Sequence, residues 1–467
     1  MTNVPTPADM APRAFACTEV HPLLSGEGEV RLLGAVRQVT GAMTRVDIGG
    51  ARMLVDCGIA QGHDAHGAGD ARALLDEARD VSAVFLTHGH LDHIGNLPSL
   101  LDASFDRPMY ATAATLAIAR VSLEDSLSMQ RLSDRDIKQL LARFDRLAKP
   151  VAYDRELSLD GKHRKGIRIA CREAGHILGS SSIEFRSDKS RVIVSGDLGR
   201  PNSPILRDPN TTWESDMPVD VVVMESTYGS REHGHSHDDI EKELERILKR
   251  AVAQSGHVLI PAFAIGRTQV LLYFLNTLVE SGRIPRIPVA LDTPMGLSIT
   301  ETYHRFEKLF DRESLDQMAR GDDPLDFSTL FEVRKGRDSA RLADLPGPLI
   351  IIAGSGMCTG GRILHHLKNG LPLETTTVLF VGYQAEGTTG RRIMNAARGS
   401  GMSVRIDGEE VRVRANVEVL KGLSAHADRR ELTAWLRAIP NVRRIALHHG
   451  DEEAQHDLVR YLQEHLA

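Results

Sequence analysis

Short β-branched runs that end abruptly in polar or glycine-rich turns recur along the chain. ARMLVDCG (51–58), VSAVFLTHGH (81–90), IRIACREAGH (167–176), RVIVSGDLG (191–199) and VDVVVMESTYG (219–229) form one series. GHVLIPAF (256–263), PLIIIAGSGM (348–357), TTVLFVGYQ (376–384) and RRIALHHGD (443–451) continue it. Apolar runs of this length, bounded by turn residues, predict strands. Between them, residues 123–147 and 238–253 space their apolar positions as helices do. Strands alternating with helices predict an α/β architecture. In such folds chemistry collects at the carboxyl ends of strands, and the polar residues of this chain stand at those ends. The charged segment 305–327 predicts surface helix and loop. Composition breaks near 205–218, rich in proline and polar residues, and near 395–405, around RGSGMS, predict domain boundaries.

At 467 residues the chain exceeds one ordinary core, so two domains or one large composite are expected. Hydrophobic residues make up 42% and charged residues 26%, the profile of a soluble globular protein. Even the longest apolar runs, at 219–224 and 348–354, fall far short of a membrane span, so no membrane association is expected. The opening MTNVPTPADMAPRAFA lacks a charged-then-apolar secretion pattern and reads as a loose tail. Cys17, Cys57, Cys171 and Cys358 stand far apart, which argues against a disulfide framework or a cysteine zinc knuckle and predicts a reducing cytoplasm. A net charge of −6 gives no overall signal for nucleic acid, although a local basic groove depends on where charges sit and not on their sum.

The stretch VFLTHGHLDHIGN, residues 84–96, changes the picture. His88 and His90 alternate onto one side of a strand-to-turn junction, and Asp92 and His93 follow as the chain enters a helix. One metal does not easily take all four from so tight a loop, whereas two neighbouring metals can. Imidazole and carboxylate ligands suit zinc, with manganese or iron as alternatives. Further ligands must come from elsewhere. His176 follows one strand and Asp197 another, where a carboxylate can bridge two ions. Asp56 ends a third, placed to hold a ligand histidine in orientation.

Asp56, the His88-x-His90-x-Asp92-His93 cluster, His176 and Asp197, in this order, resemble the motifs of the metallo-β-lactamase fold. The resemblance implies an αββα sandwich with a two-zinc site at one edge. His88, His90 and His176 then hold one metal, Asp92 and His93 the other, and Asp197 bridges. The second half narrows the family. Glu225 in VVVMESTYGSREH, His426 in GLSAHADRREL and His449 in IALHHGDEEAQ resemble the extra motifs of the β-CASP nucleases, the branch of bacterial RNase J and of the pre-mRNA 3′-end endonuclease. PAFAIGRTQVLLYFL (261–275), GSGMCTGGRILHHL (354–367) and GYQAEGTTGRRI (382–393) are similar to that branch as well. The resemblance runs from about residue 30 to the C-terminus. It implies a flexible tail over 1–25, a metallo-β-lactamase domain in two parts (26–209 and 396–467) and an inserted α/β β-CASP domain over 210–395. The chain ends shortly after His449 and is read as lacking the further C-terminal domain of RNase J and the N-terminal extension of archaeal relatives. Endonucleolytic and 5′-exonucleolytic cleavage, and the oligomeric state, with a homodimer admitted, therefore stay open.

The implied chemistry is hydrolysis of phosphodiester bonds in single-stranded RNA, giving 5′-phosphate and 3′-hydroxyl ends. Two Zn²⁺ ions, or Mn²⁺, activate water. Asp197 is the bridging catalytic carboxylate. By resemblance His449 supplies the last ligand to the second metal, while His448, one residue earlier on the strand, points the other way. His426 is the general acid and Glu225 orients it. The glycine-rich turns offer backbone N–H groups at helix starts for phosphate, with Ser355, Arg362, Thr388, Arg391, Arg392 and Arg267 as the candidate side chains. Aromatic residues are only 4% of the chain, so base stacking and sequence preference should be weak. His233, His235 and His237 imitate a metal cluster but have no matching ligands downstream, and read as a polar turn capped by Ser236 or Asp238. Three rivals make different demands. A two-metal thioester, lactone or lactam hydrolase needs neither the Glu225–His426 pair nor an arginine-rich cap. A non-catalytic β-CASP assembly subunit would have lost ligands, and here every expected ligand position is filled. A DNA nuclease of the repair branch typically lacks histidine at the position of His449.

Overall fold

A computed structural model describes residues 19–62, 64, 71–102, 105–130, 132–161, 164–213, 215, 217–399 and 402–466. Cys17 and most of the expected tail over 1–25 lie outside the described residues. Two compact units divide the chain, one made of residues up to Glu232 with those from Ala425 onward, the other of His233–Ser424.

The first unit holds two sheets. Strands β1 (Glu19–Pro22), β2 (Gly28–Gly34), β3 (Met43–Ile48), β4 (Ala51–Val55), β5 (Ala83–Phe85), β6 (Met109–Thr112) and β7 (Ala148–Val151) lie side by side in chain order. The pairings are antiparallel from β1 to β4 and parallel from β4 to β7. The second sheet contains β8 (Leu157–Gly161), β9 (Arg164–Glu173), β10 (Ser181–Arg186), β11 (Arg191–Val194) and β12 (Val221–Glu225). The runs at 51–58 and 81–90 read as unbroken apolar stretches because their strands are buried on both faces. Leu54, Val84 and Met109 point to one side, where they pack with Leu97, Leu100, Leu123, Leu141 and Phe144 of the covering helices. Met53, Val55 and Phe85 point to the other, where they meet Ile169, Ile183, Phe185, Val192 and Val221 of the second sheet. Phe85 links the sheets directly, stacked on Tyr110 at 5.2 Å and edge-on to Phe185 at 5.3 Å.

The second unit is a doubly covered parallel sheet. Its strands β13 (His257–Pro261), β14 (Val289–Asp292), β15 (Leu330–Glu332), β16 (Leu349–Ala353) and β17 (Thr377–Phe380) precede a short antiparallel hairpin, β18 (Ser403–Ile406) with β19 (Glu409–Arg412), and then β20 (Asn416–Val419). Their order is β15-β14-β16-β13-β17-β20. The chain then returns to the first unit, where β21 (Ile445–His448) pairs in parallel with β12, matching Glu225 to His448. Helices Arg429–Arg437 and Glu452–His465 cover that outer face through Leu432, Trp435, Leu436, Leu458 and Leu462. The unit is therefore the αββα sandwich with the inserted α/β domain that the motifs imply.

All nine runs picked out by the sequence contain strands. The stretch read as helical over 123–147 is two helices, Ala113–Met129 and Asp134–Leu147. The Ser133 side chain starts the second by accepting from the Asp136 N–H, so local capping outweighs the continuous apolar spacing. Strand β12 falls within 210–395 yet is hydrogen-bonded between β11 and β21 of the first unit, and β20 falls beyond 395 yet closes the sheet of the second.

Candidate metal centre and proton donor

Eight side chains from six segments of the first unit converge where the strands end. After β5 the chain turns through Thr87–His90, and His90 takes an extended conformation at the start of the short helix Leu91–Ile94, which carries Asp92 and His93. Asp56 leaves β4 in the left-handed region, at φ 61°, and His449 leaves β21 at φ 51°. Such values are uncommon for residues with a side chain. They turn these two inward. His176 follows β9 and Asp197 follows β11. A side chain at Gly199 would run into the carbonyl oxygen of Gly175, so glycine lets these two turns meet.

Two donor sets result. In the first, His88 Nε2 lies 3.0 Å from His90 Nδ1, which lies 3.3 Å from His176 Nε2. Asp197 Oδ2 is 3.5 Å from His88 Nε2 and 3.6 Å from His176 Nε2. In the second, His93 Nε2 lies 3.0 Å from His449 Nε2, and Asp92 Oδ2 is 3.5 Å from that same nitrogen of His449. Asp197 Oδ1 is 3.2 Å from His93 Nε2. A tetrahedral ion with bonds near 2.05 Å separates its ligands by about 3.3 Å. Neighbouring donors in the two sets lie 3.0–3.6 Å apart, near that spacing, and of the two oxygens of Asp197 one faces the first set and the other faces His93. Asp197 Oδ1 is buried and accepts no hydrogen bond, a large cost for a carboxylate unless a cation offsets it. The donors thus fit a pair of divalent ions.

The electrostatics agree. Burial drives His88, His90 and His176 below the ordinary imidazole range, which keeps them in the neutral form that ligates. His93 departs from this pattern: burial works against its charge, but Asp197 and Asp56 outweigh it and favour a proton there, which a cation must displace before Nε2 can ligate. Burial alone would raise Asp197, yet His449, His93 and His88 hold it well below the carboxylate range, as His449 and His93 hold Asp92.

A second layer fixes the candidate ligands. Asp56 accepts from the Thr87 N–H at 2.8 Å and from its hydroxyl at 2.7 Å, and sits 2.7 Å from His93 Nδ1. The Nε2 of His93 is thereby freed for the site, the orienting job expected of Asp56. Two residues escaped the sequence reading. Thr87 sits beside His88 Nδ1 at 3.1 Å, and Thr227 contacts both the ring and the carbonyl of His449. Their only sequence signal is adjacency to a singled-out residue, which threonines in turns share everywhere.

The candidate proton donor, His426, stands beside the first set. His426 Nδ1 is 3.1 Å and 3.2 Å from the two oxygens of Glu225, and 3.9 Å from Asp197 Oδ2. Glu225 is anchored by the Leu198 N–H at 2.6 Å. Burial opposes charge on His426, but Glu225 prevails and lifts its pKa to about 9. His448 is buried, and neither of its ring nitrogens is among the donors of the two sets. The histidine-rich turn at 233–237 ends in a capping box, with Ser236 and Asp239 satisfying each other's backbone N–H.

In the second unit three loops converge. Gln384 donates to the Gly356 carbonyl at 2.8 Å, Gly390 N–H to Met357 O at 3.2 Å, and Arg267 to Val381 O at 2.7 Å. Ser355 Oγ accepts from the Thr359 N–H, and Thr388 caps the helix Thr389–Ala396. Arg391 pairs with Glu386, and Arg392 donates to Thr389 Oγ1 at 2.8 Å. Arg362 is placed differently. It donates to Asp292 at 2.6 Å and to the carbonyls of Val333 and Arg334 at 2.7 Å each, while His366 and Ser339 hold the other oxygen of Asp292.

Comparison with known families places these features. Residues 37–262 match the metallo-beta-lactamase superfamily, residues 268–393 the Beta-Casp domain, and residues 410–466 the Zn-dependent metallo-hydrolase RNA specificity domain. The chain is 38% identical over 425 residues to Ribonuclease TTHA0252 of Thermus thermophilus, covering 90% of this chain and 92% of that one. It is 31% identical over 438 residues to Transcription termination factor FttA of Methanothermobacter thermautotrophicus, covering 91% of this chain and 67% of the relative. A solved structure from Enterococcus faecalis, described as a protein of unknown function, matches with a TM-score of 0.53 at 12% identity over 92% of this chain and 95% of the other, a likeness of fold alone.

Proposed function

Because the chain belongs to the β-CASP branch of the metallo-β-lactamase superfamily, whose members bind metal ions, we propose that it is a two-cation ribonuclease hydrolysing phosphodiester bonds of single-stranded RNA to 5′-phosphate and 3′-hydroxyl products. The observation that carries this reading is the Glu225–His426 pair set 3.9 Å from Asp197. An alkoxide leaving from phosphorus needs a proton, which this pair is placed to give, and the Beta-Casp and RNA specificity domains that accompany the pair favour a phosphodiester over a lactone or thioester.

His88, His90, His176 and Asp197 would hold one ion, and Asp92, His93, His449 and Asp197 the other, with zinc the favoured metal and manganese the alternative. When bound, the two ions supply Lewis-acid activation of water and neutralise charge on the phosphate. The chain's own residues do the rest. Asp197 keeps the two donor sets in register through its two oxygens. Glu225 binds the Nδ1 of His426 and so leaves Nε2 to deliver the proton to the leaving 3′ oxygen. Asp56 fixes the ring of His93. Ser355, Thr388, Arg391, Arg392 and Arg267, on three linked loops, are assigned to backbone phosphates. Arg362 is saturated by Asp292 and two carbonyls, which supports a place behind that group and not a direct phosphate contact.

The setting assigned is the cytoplasm. Cys57, Cys171 and Cys358 are free, and among the described residues no helix is long and apolar enough to cross a membrane. The test is incubation with Zn²⁺ or Mn²⁺ and 5′-labelled single-stranded RNA beside His426→Ala. Intermediate fragments identify endonuclease action and released mononucleotide 5′-exonuclease action. Intact RNA with the fully loaded wild-type protein would overturn the proposal.

A further inference from the structure

The three residues that close β12 act on both halves of the site. Glu225 holds the proton donor. Ser226 donates its hydroxyl to the carbonyl of His448 at 2.7 Å and its N–H to the carbonyl of His449 at 3.2 Å. Thr227 places its hydroxyl 2.9 Å from the carbonyl of His449 and 3.0 Å from the Nδ1 of the same residue. Counting protons settles what that hydroxyl does. A threonine hydroxyl has one proton and two lone pairs. A carbonyl only accepts, so the Thr227 proton goes to His449 O. The hydroxyl therefore meets the ring as an acceptor, and His449 Nδ1 must carry hydrogen. Its Nε2 is then the bare lone pair, and that is the atom 3.0 Å from His93 Nε2 and 3.5 Å from Asp92 Oδ2.

We propose that Thr227 is the positioning residue for the second cation site, fixing His449 as the Nδ1–H tautomer so that Nε2 is the ligand atom. It gives His449 what Asp56 gives His93. The two rings that face each other across this site are each locked from behind, one by a carboxylate and one by a hydroxyl. The hydroxyl also braces the left-handed turn at His449, so ring and backbone are held by one group. The first donor set makes no use of Thr227, which separates the two sites in an experiment. The inference rests on the two-cation reading and goes beyond it by assigning one residue to one ion.

The experiment compares Thr227→Val, which keeps the shape and removes the hydroxyl, with Thr227→Ser, which keeps the hydroxyl and removes the methyl. Each metal-free protein is titrated with Zn²⁺ against a chromophoric chelator, and bound ions per chain are counted by elemental analysis. Thr227→Val should bind the first ion as the wild type does and the second roughly ten- to a hundredfold more weakly, the usual cost of losing a partner behind a ligand. Thr227→Ser should bind both ions as the wild type does. Two ions held with unchanged affinity by Thr227→Val would overturn the assignment. So would equal weakening of both ions, or a serine variant as impaired as the valine one. Wild-type protein binding fewer than two ions would instead sink the two-cation reading itself.

Discussion

The ring of His426 hangs from the carboxylate of Glu225, with Nδ1 3.1 Å from one oxygen and 3.2 Å from the other. Burial pulls the imidazole toward neutrality, and Glu225 overrides it, lifting the pKa to about 9. A general acid works only while protonated. Cleavage should therefore persist through neutral pH and fall as pH rises through about 9. Glu225→Gln removes the dominant upward influence, so the alkaline limb should move to lower pH while the metal content stays constant. His426→Ala should lose roughly 10²–10⁴-fold in rate and show no such limb. Rate against pH for the three proteins checks this, and an unmoved limb in Glu225→Gln would contradict the pairing.

Asp197 offers one oxygen to each donor set, and Oδ1 is buried without a hydrogen bond. Asp197→Asn keeps the shape but halves the ligating character and removes the charge. Fewer than two ions should be retained per chain, and the rate should drop by roughly 10²–10³-fold or more. Stripping the wild type with a chelator should lower its melting temperature, because ligand binding at a hundred times Kd stabilises by about 2.7 kcal/mol. Asp197→Asn should show a smaller drop on the same treatment. Elemental analysis and thermal melts read out both.

Strand identity was legible wherever burial on two faces compressed a run to β-branched residues, as in VDVVVM or PLIIIAG. The candidate ligands could be picked out because they stand at strand ends in a fixed order, and the fold brings them together. Helix ends were less so. The break at Ser133 depends on one side chain accepting one backbone N–H, which apolar spacing over 123–147 does not register. Thr227 and Thr87 stayed hidden because a hydroxyl that contacts a clustered histidine looks in sequence like any turn threonine. Arg362 shows the converse. Its place in GSGMCTGGR suggests phosphate, but whether an arginine meets solvent or a buried aspartate is decided by β14, seventy residues away in the chain.

That placement separates the arginines by experiment. Asp292 is fully buried and the Arg362 side chain is largely so. Arg362→Ala leaves a buried carboxylate short of its cation and should destabilise the protein by about 3 kcal/mol, seen as a lower melting temperature. Arg391→Ala and Arg392→Ala should leave the melt nearly unchanged, since exposed pairs contribute about 0–1 kcal/mol. They should instead raise KM for RNA and reduce the salt dependence of binding by about 0.7 per lost phosphate contact on a logarithmic scale. A large melting shift in the latter two, or none in Arg362→Ala, would reverse the assignment.

The turn at 233–237 imitates a metal motif, and its chemistry is tested at the neighbouring serine. Ser236 accepts from the Asp239 N–H, and Asp239 returns the bond to the Ser236 N–H and hydroxyl, which starts the helix His237–Ala253. That helix buries Ile240, Leu244, Ile247 and Leu248, so its first turn matters to the second unit. Removing such a cap costs about 1 kcal/mol. Ser236→Ala should therefore lower the denaturant midpoint without changing the number of bound ions. His235→Asn and His237→Asn should leave both quantities near wild type, since helix-start histidines contribute nothing to the two donor sets. If either histidine variant lost an ion while Ser236→Ala left stability intact, the turn would be a ligand loop and the capping account would fail.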